Sequence, residues 1–291
     1  MSTAGQVLAS SRPLSWINTA FPFGAAYLLA GGGPDLAFWV GCLWFLIPYN
    51  LLMYGINDVF DYESDLRNPR KGGVEGIVLD RRVHRVTIVA AVASNVPFVV
   101  VLAAMGSAAS NLVLAISVFA VAAYSVPVLR FKERPFLDSI TSSTHFVSPA
   151  VFGLALADAR GAGVEVDLTV VAALAGFFAW GIGSHAFGAV QDVTADRAAG
   201  IGSIGTALGA RNTTWFALTA YLVGGVFLLA LPWPAMLSAL LVLPYVVNIA
   251  PYLSITDETC EAANVAWRRF LWLNFASGFL VTQLLIWIAL R

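Results

Sequence analysis

Long charge-free runs alternate with short polar segments along the whole chain, and the run lengths are the first guide to its architecture. A helix needs about 20 apolar residues to cross the hydrocarbon core of a bilayer. The runs 14–34 and 36–57 have that length and are parted by Gly31-Gly32-Gly33-Pro34-Asp35. The run 86–129 is long enough for two helices, with Gly106-Ser107 as the turn. Runs 139–157 and 168–191 supply the fifth and sixth. The run 212–256 is again double, divided at Pro232-Trp233-Pro234, and 270–290 closes the series. None shows the alternation of a membrane barrel strand. The pattern predicts an all-α fold: a polytopic membrane bundle of nine transmembrane helices. It forms a single domain over 1–291, with spans 1–4 and 5–8 as related halves.

Composition strengthens this picture. The 291 residues are 59% hydrophobic and only 11% charged, too few charges to cover a water-facing surface. The net charge of −1 implies no bulk attraction to nucleic acid. Cys42 and Cys260 lie far apart in apolar surroundings and read as packing residues. No short apolar core with a small-residue cleavage site opens the chain, so no removable signal peptide is expected. Loop charge then orients the bundle. With nine spans, all but Arg160 and Arg291 of the 16 lysines and arginines fall on one side. The positive-inside rule makes that side cytoplasmic, with the N-terminus inside and the C-terminus outside a multi-pass protein of the cell membrane.

The unusual polarity sits on that same side. At the end of the second span Asn57, Asp61 and Asp65 are spaced i, i+4, i+8, one stripe of a helix. Carboxylates stacked this way near lipid repel one another and call for a cation. Oxygen ligands suit a hard ion, and Mg²⁺ keeps positions open for water or phosphate oxygens. Asp192 and Asp196 repeat the spacing after the sixth span, with Gly188 where the first half has Asn57. Two such clusters predict two Mg²⁺ ions bridging a diphosphate leaving group. Arg67, Arg70, Lys71, Arg197, Arg130 and Lys132 are candidate grips for phosphate oxygens, with Tyr124 as a hydroxyl donor. Asp58 and Glu63 point off the stripe, and Asp138 reads as a charge at a helix N-terminus. His145 and His185 lie inside spans; each is either a hydrogen-bonded core histidine or a lining residue of an acceptor cavity.

These motifs resemble the UbiA superfamily of membrane prenyltransferases over nearly the whole chain. The resemblance implies Mg²⁺-diphosphate binding by Asn57, Asp61, Asp65, Asp192 and Asp196, and diphosphate contacts from Arg67, Arg70, Lys71, Tyr124, Arg130 and Lys132. Quinone-pathway members carry a YPFxKR-type sequence after the fourth span. Here the segment runs from Tyr124 through Ser125-Val126-Pro127 to Arg130-Phe131-Lys132, which weighs against 4-hydroxybenzoate as acceptor. The stretches 11–19, 55–65 and 184–192 are similar to bacterial lycopene elongases. That likeness implies transfer of a five-carbon unit from dimethylallyl diphosphate to the end of lycopene, with no strong base needed to activate the acceptor. A quinone, chlorophyll-like or lipid acceptor is the alternative within the class. An ion-coupled transporter is the alternative outside it, though transport predicts carboxylates near the midplane.

Overall fold

A computed structural model describes residues 1–66 and 76–290, so Arg67, Arg70, Lys71 and Arg291 lie outside the described residues. Among the described residues the regular structure is helical, with no strand. Among the same residues eight helices are long and apolar enough to cross a membrane, and Ile17–Leu29 is a shorter apolar helix. We label the helices α1 (Thr3–Ser10), α2 (Ile17–Leu29), α3 (Leu36–Phe60), α4 (His84–Met105), α5 (Ala108–Ser125) and α6 (Leu137–Ala159). Next come α7 (Leu168–Val190), the short α8 (Val193–Ala199), α9 (Ile204–Leu229), α10 (Ala235–Tyr252) and α11 (Asn264–Ala289).

Element boundaries move where capping overrides hydropathy. The run expected from residue 14 contracts to α2, because Pro13 opens a 3₁₀ turn and Gly31 ends the helix at φ 90°. The helix expected from residue 212 begins at Ile204, where Ser203 and Thr206 form a reciprocal capping box, and is broken at Gly209 (φ 77°). The last helix starts at Asn264 rather than at residue 270. Arg268 and Arg269 ride in its early turns, since long basic side chains reach past apolar surroundings.

The chain divides into two compact units, Met1–Phe131 with Thr144–Glu165, and Lys132–Ser143 with Val166–Arg291. The first is built around an aromatic cluster of Phe23, Tyr27, Trp44, Phe45, Tyr49 and Phe152. On α4, Val89, Val92, Val96 and Val100 are exposed, whereas Thr87, Ala91 and Asn95 are buried. A bilayer-facing helix divides in this way, large residues outward and small or polar ones at the helix contact.

A break in α3 decides how its functional end is presented. Pro48 lacks an N–H, and the five residues Leu51–Gly55 form a π-helical turn. Carbonyls left without their usual donors would cost several kcal/mol in a lipid environment. Side chains take over. Asn50 Nδ2 donates to the Phe45 and Leu46 carbonyls at 2.7 and 3.1 Å. Thr19 Oγ1 donates to Phe45 O at 2.7 Å, and Asn95 Nδ2 to Pro48 O at 2.6 Å. Asn50 is fully buried. Asn50→Leu is therefore expected to destabilise the fold by about 1–3 kcal/mol, read as a lower thermal midpoint in detergent.

The second unit packs Phe187, Tyr221, Tyr245, Phe270 and partly buried Trp180 and Trp267 into its own cluster. Here α6 and α7 approach closely. A Cβ on Gly181 would stand 2.3 Å from Ser143 Oγ and 2.9 Å from its Cβ, so glycine is required. Ser143 Oγ donates to the Phe178 carbonyl at 2.8 Å across the same contact.

Candidate active site

The first motif begins directly after the π-turn. Ile56–Phe60 is helical, Asp61 sits at φ −95°, ψ 0°, and Tyr62–Asp65 resumes the helix. The helix is thus bent at Asp61, yet its register holds. Asp61 N–H donates to Asn57 O at 2.9 Å and Asp65 N–H to Asp61 O at 2.8 Å. Asn57, Asp61 and Asp65 remain one turn apart. The second motif has the same local form. Asp192 sits at φ −99°, ψ −3°, and Asp196 N–H donates to Asp192 O at 2.8 Å. Two segments of different sequence adopt one backbone conformation at the first aspartate of each pair.

Neighbours fix the first motif. Arg130, held in the left-handed region at φ 41°, brings its guanidinium to 3.7 Å from Asp61. A non-glycine residue keeps such a conformation only where its surroundings over-determine it. Ser125 Oγ donates to Asn57 Oδ1 at 2.9 Å. Arg81 stacks on Tyr62 and pairs with exposed Glu63, and His84 meets the Tyr62 ring edge-on.

Beneath the stripe lies a contact that sequence reasoning missed. Arg12, counted above only among the basic residues of the cytoplasmic side, donates from Nη2 to Asp58 Oδ1 at 3.0 Å. Its guanidinium also lies 4.4 Å from the Tyr54 ring centre. Burial alone would lower the Arg12 pKa, but the Asp58 charge beside it and nearby Tyr54 outweigh this and raise it. Asp58 is buried and does structural work, as its off-stripe position suggested. No spacing rule announces this pair; the only sequence signal is a lone arginine heading the first apolar run.

In the second unit Ser203 Oγ donates to Asp196 Oδ2 at 3.4 Å. Arg197, a candidate grip for the diphosphate, is paired with Asp257 and donates to Thr206 O at 3.1 Å. Asp257 also accepts the Ala210 N–H at 2.7 Å just past the Gly209 break, so this arginine ties the motif's helix to α9. A Cβ on Gly188 would stand 2.9 Å from the Trp267 ring, which leaves no room for a counterpart of Asn57. Asp138 caps a helix as anticipated, though a distant one: its Oδ2 accepts the Ile204 N–H at 2.7 Å. Of the two histidines, His145 is buried edge-on against Tyr124, and His185 Nδ1 lies 3.0 Å from Ser139 Oγ.

Among the described residues, no three carboxylate, imidazole or thiolate side chains converge as a closed metal cage. The donor set still fits Mg²⁺, which binds through one or two carboxylates and completes its octahedron with water and phosphate oxygens. Asn57, Asp61 and Asp65 offer oxygen donors only, at one-turn spacing, and so do Asp192 and Asp196.

The model of the UbiA prenyltransferase family matches residues 19–277. The chain belongs to that family. UbiA relatives extend over nearly all of it. It is 56% identical over 279 residues to the C(50) beta-cyclic carotenoids biosynthesis protein LbtBC of Dietzia sp., covering 96% of this chain and 63% of that protein's length. It is 52% identical over 280 residues to a lycopene elongase/hydratase of Corynebacterium glutamicum, covering 96% of each. The fold matches a UbiA homolog from Archaeoglobus fulgidus, solved bound to DMAPP and Mg²⁺, with TM-score 0.66 and 17% identity. That match covers 94% of this chain and 99% of the other. The chain is a multi-pass membrane prenyltransferase.

Proposed function

We propose that this protein transfers the dimethylallyl group of dimethylallyl diphosphate to a terminal double bond of lycopene. The observation that carries the reading is the pair of matched Asp-x3-Asp turns, in a chain more than half identical to a C(50) carotenoid biosynthesis protein and a lycopene elongase/hydratase. Asp61, Asp65, Asp192 and Asp196, with Asn57, are the proposed Mg²⁺-diphosphate ligands. When bound, Mg²⁺ would neutralise the leaving diphosphate, and two ions suit the two clusters. Tyr124, Arg130 and Lys132, with Arg67, Arg70 and Lys71 beyond the described residues, would bind the phosphate oxygens. Arg197, paired with Asp257, would hold the second motif and add a further grip on the diphosphate. Preorganised positive groups act where charge grows on the leaving group, usually the largest catalytic effect. Apolar helix walls exclude the water that would quench an allylic cation.

The topology belongs to the same proposal: nine spans in the cell membrane, N-terminus cytoplasmic, both motifs at the inner leaflet. Two ion pairs support it. Arg12 before the first span meets Asp58 at the end of the second. Arg160 after the fifth lies 3.6 Å from Asp35 before the second. Burial works against the Asp35 charge, but the Phe38 N–H, the Tyr27 hydroxyl and Arg160 outweigh it and hold its carboxyl below the usual range.

The test is direct. Purified protein supplied with dimethylallyl diphosphate, Mg²⁺ and lycopene is expected to release diphosphate and form longer carotenoids, detected by mass spectrometry. Chelation should abolish both signals. Turnover with a naphthoate or benzoate acceptor but none with lycopene removes the carotenoid reading.

A further inference from the structure

The two aspartate motifs bend at the same point, but the bend disturbs the helical ladder in only one of them. In the first, Asp61 N–H still reaches four residues back, to Asn57 O at 2.9 Å. In the second, Gln191 and Asp192 form the turn between α7 and α8, and Asp192 N–H turns to Ala189 O, three residues back, at 3.2 Å. The Gly188 carbonyl thereby loses its usual helical donor. A buried carbonyl left without a donor is costly, the more so close to lipid.

The Gln191 side chain takes that donor's place. Its Nε2 donates to Gly188 O at 3.1 Å. The aligned residue of the first half is Phe60, which has no amide to give and, with Asn57 O already paired, needs none. Gln191 is buried, and an amide carries an acceptor as well as donors. Here that acceptor, Oε1, takes a hydrogen bond from Asn264 Nδ2 at 2.6 Å. Cys260 adds a further tie, with Sγ 3.7 Å from Gln191 O and 3.4 Å from Thr194 Oγ1. A thiol has one hydrogen; with it on the Gln191 carbonyl, the Thr194 hydroxyl donates to the sulfur.

These partners come from one short stretch of chain. Asn264 is the first residue of α11 and directly follows the 3₁₀ turn Asp257–Ala263, which also holds Arg197 through Asp257. Trp267 lies three residues beyond Asn264 and so shares its face of α11. Its ring packs against Gly188, where a Cβ would stand 2.9 Å away. The glycine that leaves no counterpart of Asn57 is thus the residue that admits the start of α11 against the motif.

We infer that Asn264 is a positioning residue for the second aspartate pair, acting through Gln191. The inference rests on the Mg²⁺-diphosphate role proposed above for Asp192 and Asp196. Gln191 is joined to Asp192 by one peptide bond, so its side-chain anchors at Gly188 O and Asn264 set the bend from which the Asp192 side chain departs. Mg²⁺ demands near-ideal octahedral geometry, and a bend that drifts moves the carboxylate off that geometry. Groups that orient a ligand without touching the metal commonly matter about tenfold or more in metal affinity.

The experiment titrates Mn²⁺, a paramagnetic probe of the Mg²⁺ site, with inorganic diphosphate into wild type, Asn264→Leu and Gln191→Met. Binding is followed by electron paramagnetic resonance, with thermal midpoints in detergent alongside. Both variants are expected to bind Mn²⁺ about tenfold more weakly and to need about tenfold more Mg²⁺ for half-maximal diphosphate release, with the lycopene KM within about twofold. Asn264→Gln keeps an amide donor and should stay within about threefold of wild type. Asn264→Leu leaves the bond from Gln191 to Gly188 in place, so it carries the test if Gln191→Met does not fold. Wild-type Mn²⁺ affinity in Asn264→Leu overturns the inference and leaves the prenyl transfer standing. So does a lowered midpoint at unchanged affinity, the mark of a purely structural tie. A wild-type protein that binds no Mn²⁺ with inorganic diphosphate sinks the metal role, and this inference with it.

Discussion

Asp61→Ala and Asp192→Ala are each expected to reduce turnover by on the order of a thousandfold, because metal-borne charge stabilisation is worth several kcal/mol and each ~1.4 kcal/mol is a factor of ten. Folding should survive both changes. The helix register at each site is held by backbone hydrogen bonds, Asp65 N–H to Asp61 O and Asp196 N–H to Asp192 O, which do not use the lost carboxylates. Asp61→Ala also removes a partner of Arg130, but an ion pair at 3.7 Å between partly exposed groups contributes little to stability. Diphosphate release at saturating donor, alongside a thermal midpoint in detergent, separates the two effects. A variant with wild-type turnover would remove that aspartate from the site.

The second large effect lies under the first motif. Arg12→Met is expected to destabilise the protein by about 3 kcal/mol, because it removes an ion pair to the buried Asp58 carboxylate. Arg12→Lys should recover only part of this, since an ammonium lacks the planar fork and stacks poorly on Tyr54. The double change Arg12→Met with Asp58→Leu should recover most of it, because removing both charges removes the desolvation cost. Thermal midpoints and donor KM are the measurements. An unchanged midpoint in Arg12→Met would show that the pair does not secure the motif's helix.

These predictions rest on how the motifs are built. Their first aspartates share a backbone conformation near φ −95°, and each starts a new helical turn after a bend. Their support differs. The first is set by a π-turn, an arginine from the N-terminal segment and a serine from α5. The second is set by a salt bridge to Asp257 and a serine at the start of α9. If the halves descend from one repeat, the local form is what they retained, while the tertiary contacts diverged.

The amino-acid sequence by itself determined the helical class, the positions of the spanning runs and the one-turn spacing of the carboxylates. The physical reason is that each is a local property. Hydrocarbon thickness converts directly into run length, and the helical period converts i, i+4 into a shared face. Helix ends were less legible, because Ser203 with Thr206, Pro13 and Gly209 act through capping and backbone dihedrals that a hydropathy run ignores. Tertiary structure alone decided the partners. Arg12 and Asp58 are 46 residues apart, as are Ser139 and His185, and Asn95 reaches back 47 residues to satisfy Pro48. Such pairs depend on which helix faces pack and how closely, here on a glycine that admits a serine, and no periodicity along one helix encodes its neighbour.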